Sequence, residues 1–178
     1  MNIENLIISF QKFKKNLVLS NYLQQICSSI IDQSISKSKV EEILQNENVD
    51  FFIAKVDFLN LIFEYIKGAL EDNILTNIEK ENIKFLKIIF RIKPGDFYFH
   101  NKPNIEAAIN FQLARIYLDN NITTDEALLK VDLQEIFDLS FDQMNDYAKT
   151  EAAISIQNGA DINNLDIFFT NKEFFKLK

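Results

Sequence analysis

The sequence is short of chain breakers, cysteine and histidine. Its 178 residues include three Gly, two Pro, one Cys and one His. So few Gly and Pro cannot supply the many tight turns of a β-sandwich or barrel, and they exclude collagenous and Pro-rich linker classes. One cysteine excludes an internal disulfide framework and a cysteine-rich zinc module. No stretch approaches the roughly 20 apolar residues of a membrane span. The opening residues MNIENLIISFQKFKKNLVLS do not read as a secretory leader, because the first charge is Glu4 and Lys12, Lys14 and Lys15 break the apolar run. A cytoplasmic address is expected, which suits a reduced Cys27.

Familiar catalytic patterns are also missing. There is no Gly-rich phosphate loop and no nucleophile elbow. His100 has Asp96 close in sequence but no nucleophile motif, so it reads as a loop histidine. Cys27 lies beside the Ile26/Ile30 stripe and reads as a small buried hydrophobe. The expectation is a protein without enzymatic activity.

Apolar residues make up 47% of the chain and charged residues 25%. That balance can bury a core. The length suits one domain over 1–178, with 170–178 as a tail that frays. Apolar spacing is helical almost throughout. Leu6, Phe10, Phe13 and Leu17 form one stripe, and Leu19, Leu23, Ile26 and Ile30 continue on another face. One kinked helix or two would explain the change of phase. Lys39–Glu47 reads as a short helix capped by Ser36 or Ser38. Residues 49–72 carry Phe52, Val56, Leu59, Phe63, Ile66 and Leu70 at alternating spacings of four and three, with further apolar residues on other sides. A helix apolar nearly all round is usually the buried one. The reading is an all-α bundle of about seven helices around this central helix.

Capping boxes open three of the later helices: Thr76 with Glu79, Thr123 with Glu126, and Ser140 with Gln143. Between the first two, residues 94–103 hold both prolines and read as a loop whose Phe97, Tyr98 and Phe99 fold back onto the core. Asn104 would cap the helix that follows. Gly159 is placed to end the last one. Leu165, Ile167, Phe168 and Phe169 read as docked.

Charge is uneven. Residues 119–146 carry eight acids and one cation, Lys130, while residues 1–40 carry five lysines. The acidic segment would repel nucleic acid phosphates, so neither nucleic acid nor membrane is expected as a partner. It would attract a basic protein or a divalent cation. The candidate partner-binding residues are Asp132, Glu135, Asp138, Asp142 and Asp146, with Phe141 and Tyr147 as aromatic anchors. A small, acidic, one-domain protein without catalytic groups has the profile of an immunity protein, which blocks a basic toxin by electrostatic complementarity. The Lys80, Lys84, Lys87 and Arg91 stripe reads as a solvated helix face.

The chain also repeats itself. Asp72-Asn73-Ile74-Leu75-Thr76-Asn77-Ile78-Glu79 lies 47 residues before Asp119-Asn120-Asn121-Ile122-Thr123-Thr124-Asp125-Glu126. Leu86, Ile89 and Phe90 then meet Leu133, Ile136 and Phe137. Each copy is a helix, a short turn and a capped helix. The duplicated pattern D-[NG]-x-[IL]-T-x-x-E in an all-helical chain resembles the tellurite-resistance TerB-like family. The resemblance rests on residues 62–92 and extends over 112–139, and family members often have Gly where this chain has Asn73 and Asn120. It implies an all-helical fold, a stress-response association and a divalent-metal role for Asp72, Glu79, Asp119 and Glu126. A normal EF-hand does not fit. Loop positions 1 and 3 would be Gly68 and Leu70 in one copy, Arg115 and Tyr117 in the other, and none offers a carboxylate.

Overall fold

Side-chain caps and left-handed ends divide the chain into helices, and almost every boundary has a named residue. The computed structural model describes residues 4–167. Among them are eight α-helices, one 3-10 turn and no strand. The helices are α1 (Glu4–Asn16), α2 (Asn21–Ile31), α3 (Lys37–Asn46), α4 (Phe51–Ala69), α5 (Asn77–Ile89), α6 (Asp96–Ile116), α7 (Thr124–Ile136) and α8 (Phe141–Gln157). The all-α expectation holds, with eight helices rather than about seven, because the N-terminal stripe divides into α1 and α2. The expected tail at 170–178, and Phe168 and Phe169, lie outside the described residues.

Ser36 caps α3 by accepting the Lys39 N–H at 3.1 Å, and Asp50 caps α4 by accepting the Phe52 N–H at 2.7 Å. Thr76, Thr123 and Ser140 complete the three expected capping boxes. The far ends are equally regular. After the capping residue that follows each of α2, α3, α5, α7 and α8, the next two backbone N–H groups turn back to carbonyls of the last turn, as with Gln33 to Ile30 and Ser34 to Ser29. This closure needs a left-handed residue, normally Gly. With three glycines available, the chain mostly uses other residues: Gln33, Asn48, Arg91 and Asp138 all have φ between 50° and 56°, and Gly159 serves after α8.

Contacts group the chain into two compact units, the first ending at Asp96 and the second beginning at Phe97. In the first, α1 packs on α2, α4 and α5, and α4 packs on α5. Phe58 of α4 and Phe90 after α5 are both fully buried, with rings stacked at 4.4 Å. Nine residues of α4 are buried, among them Phe58, Leu59, Ile62 and Ile66. Its first two turns depart from expectation, since Phe52 is 70% exposed and Val56 40%. An all-round apolar pattern cannot say which face is covered at a helix end.

In the second unit α7 packs on α8. Phe97 is fully buried, edge-on to Phe137 at 6.0 Å. Here the expected loop over 94–103 is corrected. Residues 96–100 are helical and run into α6, which contains Pro103. The backbone breaks at Asn101 (φ −136°, ψ 26°), so Pro103 falls in the first turn of the new segment, where its missing N–H costs nothing. Asn101 stands at the break and accepts from Asn104 at 2.6 Å, so Asn104 is not the cap. Phe99 does not fold back either; it is 83% exposed.

The internal repeat is reproduced bond for bond. Asn73 and Asn120 have φ of 64° and 62°. Asp72 accepts the Ile74 N–H at 3.0 Å, and Asp119 accepts the Asn121 N–H at 3.1 Å. Glu79 and Glu126 each accept from the backbone and hydroxyl of their threonine, at 2.9 and 2.7 Å and at 2.8 and 2.7 Å. The two capped helices, α5 and α7, are both 13 residues long. The register persists beyond them: Lys93 donates its N–H to Asp96, and Ser140, 47 residues on, donates to Gln143, both at 2.8 Å.

Candidate partner-binding surface

The acidic segment is presented by α7, the turn after it and the start of α8. Helix α7 exists because Thr123 caps it and because Leu129, Leu133 and Ile136 return to one buried face. Its outward face carries Asp125, Leu128, Val131, Asp132 and Glu135 by helical spacing. Glu135, Phe141 and Asp142 are exposed, and Asp132 is half-buried. Phe141 opens α8 with 64% of its surface in solvent, and Asp142 beside it suits the positive end of the helix.

The other three expected residues have structural work. Asp138 is the left-handed residue that ends α7, with φ 55°. Asp146 pairs with Lys149 at 3.0 Å across one turn of α8. Tyr147 is half-buried and donates to Glu106 Oε1 at 3.0 Å, tying α8 to α6. Burial, then hydrogen bonds with Tyr98 and Glu106, push its phenol above the usual range. The Tyr98 phenol moves the opposite way, because the Tyr147 hydroxyl and then the Lys102 ammonium favour its ionised form.

Lys130 is the decisive residue of this region. It is the one cation among the eight acids of 119–146, yet it is only 8% exposed. Its ammonium reaches inward to Asp166, with a carboxylate contact at 2.8 Å and another to the backbone carbonyl, and to the Tyr117 hydroxyl at 3.3 Å. Tyr117 in turn donates to the Leu165 carbonyl at 3.1 Å. Five of the segment's eight acids are therefore exposed, while its single cation is buried. No known family model, curated protein or solved structure matches this chain.

The four turn carboxylates are each engaged within their own turn. Asp72 and Asp119 hold tight turns, while Glu79 and Glu126 complete capping boxes. Among the described residues no group of three or more His, Cys, Asp or Glu is arranged to hold a metal ion. His100 is half-buried and stands edge-on to Phe99 at 4.8 Å. Cys27 is fully buried, which pushes its thiol up to about 11 against a small opposing pull from Lys14. A thiol so placed stays protonated and unreactive near neutral pH. No described helix is long and apolar enough to cross a membrane.

Sequence reasoning missed two surface residues. Leu128 and Val131 of α7 are 57% and 59% exposed. The available signal was their phase, since both fall outside the Leu129, Leu133, Ile136 stripe.

Proposed function

We propose that this chain is a non-enzymatic, acidic protein-binding module of the immunity-protein kind, cytoplasmic, which neutralises a basic toxin. The observation that carries the reading is the inward turn of Lys130. It spends the segment's one cation on Asp166 and Tyr117, while Glu135, Phe141 and Asp142 stand exposed. A surface of that sign speeds encounter with a basic partner and makes binding fall with salt. Affinity capture from the native host, with mass spectrometry of what binds, identifies the partner. Replacing Asp132, Glu135, Asp138, Asp142 and Asp146 together by their amides should weaken the captured partner at least tenfold. A partner held equally well by that variant would rule the reading out.

A second reading draws support from the duplicated turn. On this reading the chain is a TerB-like stress protein whose Asp72, Glu79, Asp119 and Glu126 supply oxygen ligands to a divalent cation. Their reproduced geometry favours a shared role, and helix capping is one such role already seen. Calorimetry with Ca²⁺, Mg²⁺, Mn²⁺ and Zn²⁺ separates the two roles. Absence of heat and of any thermal shift at millimolar metal would leave capping alone.

A further inference from the structure

Two helices of this chain share one template, which allows a comparison. α5 and α7 have equal length, the same capping box and the same closing bonds. Their buried positions agree: Leu86 with Leu133, Ile89 with Ile136, Phe90 with Phe137. Their outward positions do not. Where α7 has Leu128 and Val131, α5 has Glu81 and Lys84. The template is thus satisfied by charged residues at both places, and it gives no folding reason for the two aliphatic side chains. α5 exposes two apolar residues of its own, Ile78 and Ile88, and the corresponding residues of α7 are the acids Asp125 and Glu135.

Leu128 and Val131 lie one turn apart, and Glu135 continues the same stripe, about 10 Å along the axis from Leu128. Asp125 and Asp132 flank it. Burying both aliphatics against a partner is favourable, and the acids around them select a partner with positive charge beside its own apolar residues. An anionic bilayer is disfavoured by the same acids. A helix with apolar residues at spacings of three and four, flanked by Lys or Arg, matches the stripe along its length.

We infer that the outward face of α7, centred on Leu128 and Val131 and ringed by Asp125, Asp132 and Glu135, docks a cationic amphipathic helix of a partner protein. This rests on the acidic binding-module reading and specifies what the partner presents. Neither aliphatic residue belongs to the acidic set that marks this segment in the sequence.

The test uses the full chain and a fluorescein-labelled helical peptide of about 18 residues. The peptide is built from Leu and Lys with Leu on one face, and anisotropy is read near 150 mM salt. A scrambled peptide of equal composition is the control. The Leu128→Ser/Val131→Thr variant should raise Kd at least tenfold. The Glu81→Gln/Lys84→Gln variant of α5 should stay within twofold, and the scrambled peptide should bind at least tenfold more weakly. All four substituted residues lie on the surface of helices, so circular dichroism should be unchanged. Wild-type affinity in the Leu128→Ser/Val131→Thr variant overturns the inference, as does an equal loss in the α5 variant or no binding to the wild type. The Asp132→Asn/Glu135→Gln/Asp142→Asn variant separates the two ideas. If it loses the peptide while the aliphatic variant keeps it, the inference falls and the acidic reading stands. If both variants keep it, both fall.

Discussion

Replacing Phe58 by alanine is expected to cost the first unit about 3–5 kcal/mol, the usual range for emptying a buried aromatic site. The reason lies in the neighbours. Phe58 is fully buried, stacks on Phe90 at 4.4 Å with nearly parallel planes, and meets Phe51 and Tyr22 edge-on at 5.9 and 6.5 Å. Tyr22 is itself held by a hydrogen bond to Asp57 of α4, so the cavity cannot close by a simple rotation of that ring. Urea denaturation followed by circular dichroism measures the loss. Phe99→Ala is the internal control. That ring is 83% exposed, and its removal should stay within about 0.5 kcal/mol. A Phe58→Ala variant within about 1 kcal/mol of wild type would mean that the stacked pair does not organise α4 against α5.

Lys130 carries the second large effect. Lys130→Ala should destabilise the second unit by about 2–4 kcal/mol, from lost charged hydrogen bonds and a lost aliphatic stem. Asp166 is 59% exposed by side chain and can be rehydrated, which keeps the penalty below that of stranding a buried charge. Lys130→Met should cost less than half as much. It keeps the stem volume, and the matching position of the first copy is already apolar, with Ile83 at 1% exposure. Denaturation curves of the two variants make the comparison. Limited proteolysis adds a local readout, because Lys130 and Tyr117 both hold the backbone at residues 165–166. Equal stabilities for the alanine and methionine variants would assign the whole effect to the ammonium contacts.

The helices were most legible where local chemistry decides them. Thr76, Thr123 and Ser140 announce their helices within four residues, and the structure places all three caps as expected. The repeat was visible because the same local rules were used twice. What could not be read depends on distant residues. Pro103 looked like a loop residue until Asn101 supplied the break that makes a proline acceptable two positions later. The exposure of Phe52 and Val56 depends on what α4 meets at that end, which no spacing encodes. Lys130 is the clearest case. Its sequence neighbours are mostly acidic, so it reads as their surface counter-ion. Its actual acceptors are Tyr117, 13 residues before it, and Asp166, 36 residues after it. The acidic character of the candidate surface was legible, whereas Leu128 and Val131 needed the burial of the opposite face to stand out.

The left-handed joints also bear on how this sequence can change. The segments between helices look like the parts most open to substitution and insertion. Seven described residues with positive φ, at 33, 48, 73, 91, 120, 138 and 166, carry a side chain in a region that Val, Ile and Thr enter only with strain and that Pro cannot enter. Variation in the connectors from α2 to α8 is therefore narrowed at such fixed points, and a shift of one of them by one residue would carry the following helix out of register with its cap. The solvent-facing positions of the helices have no such constraint. New sequence, natural or engineered, is more readily accommodated on their exposed faces than in the links between them.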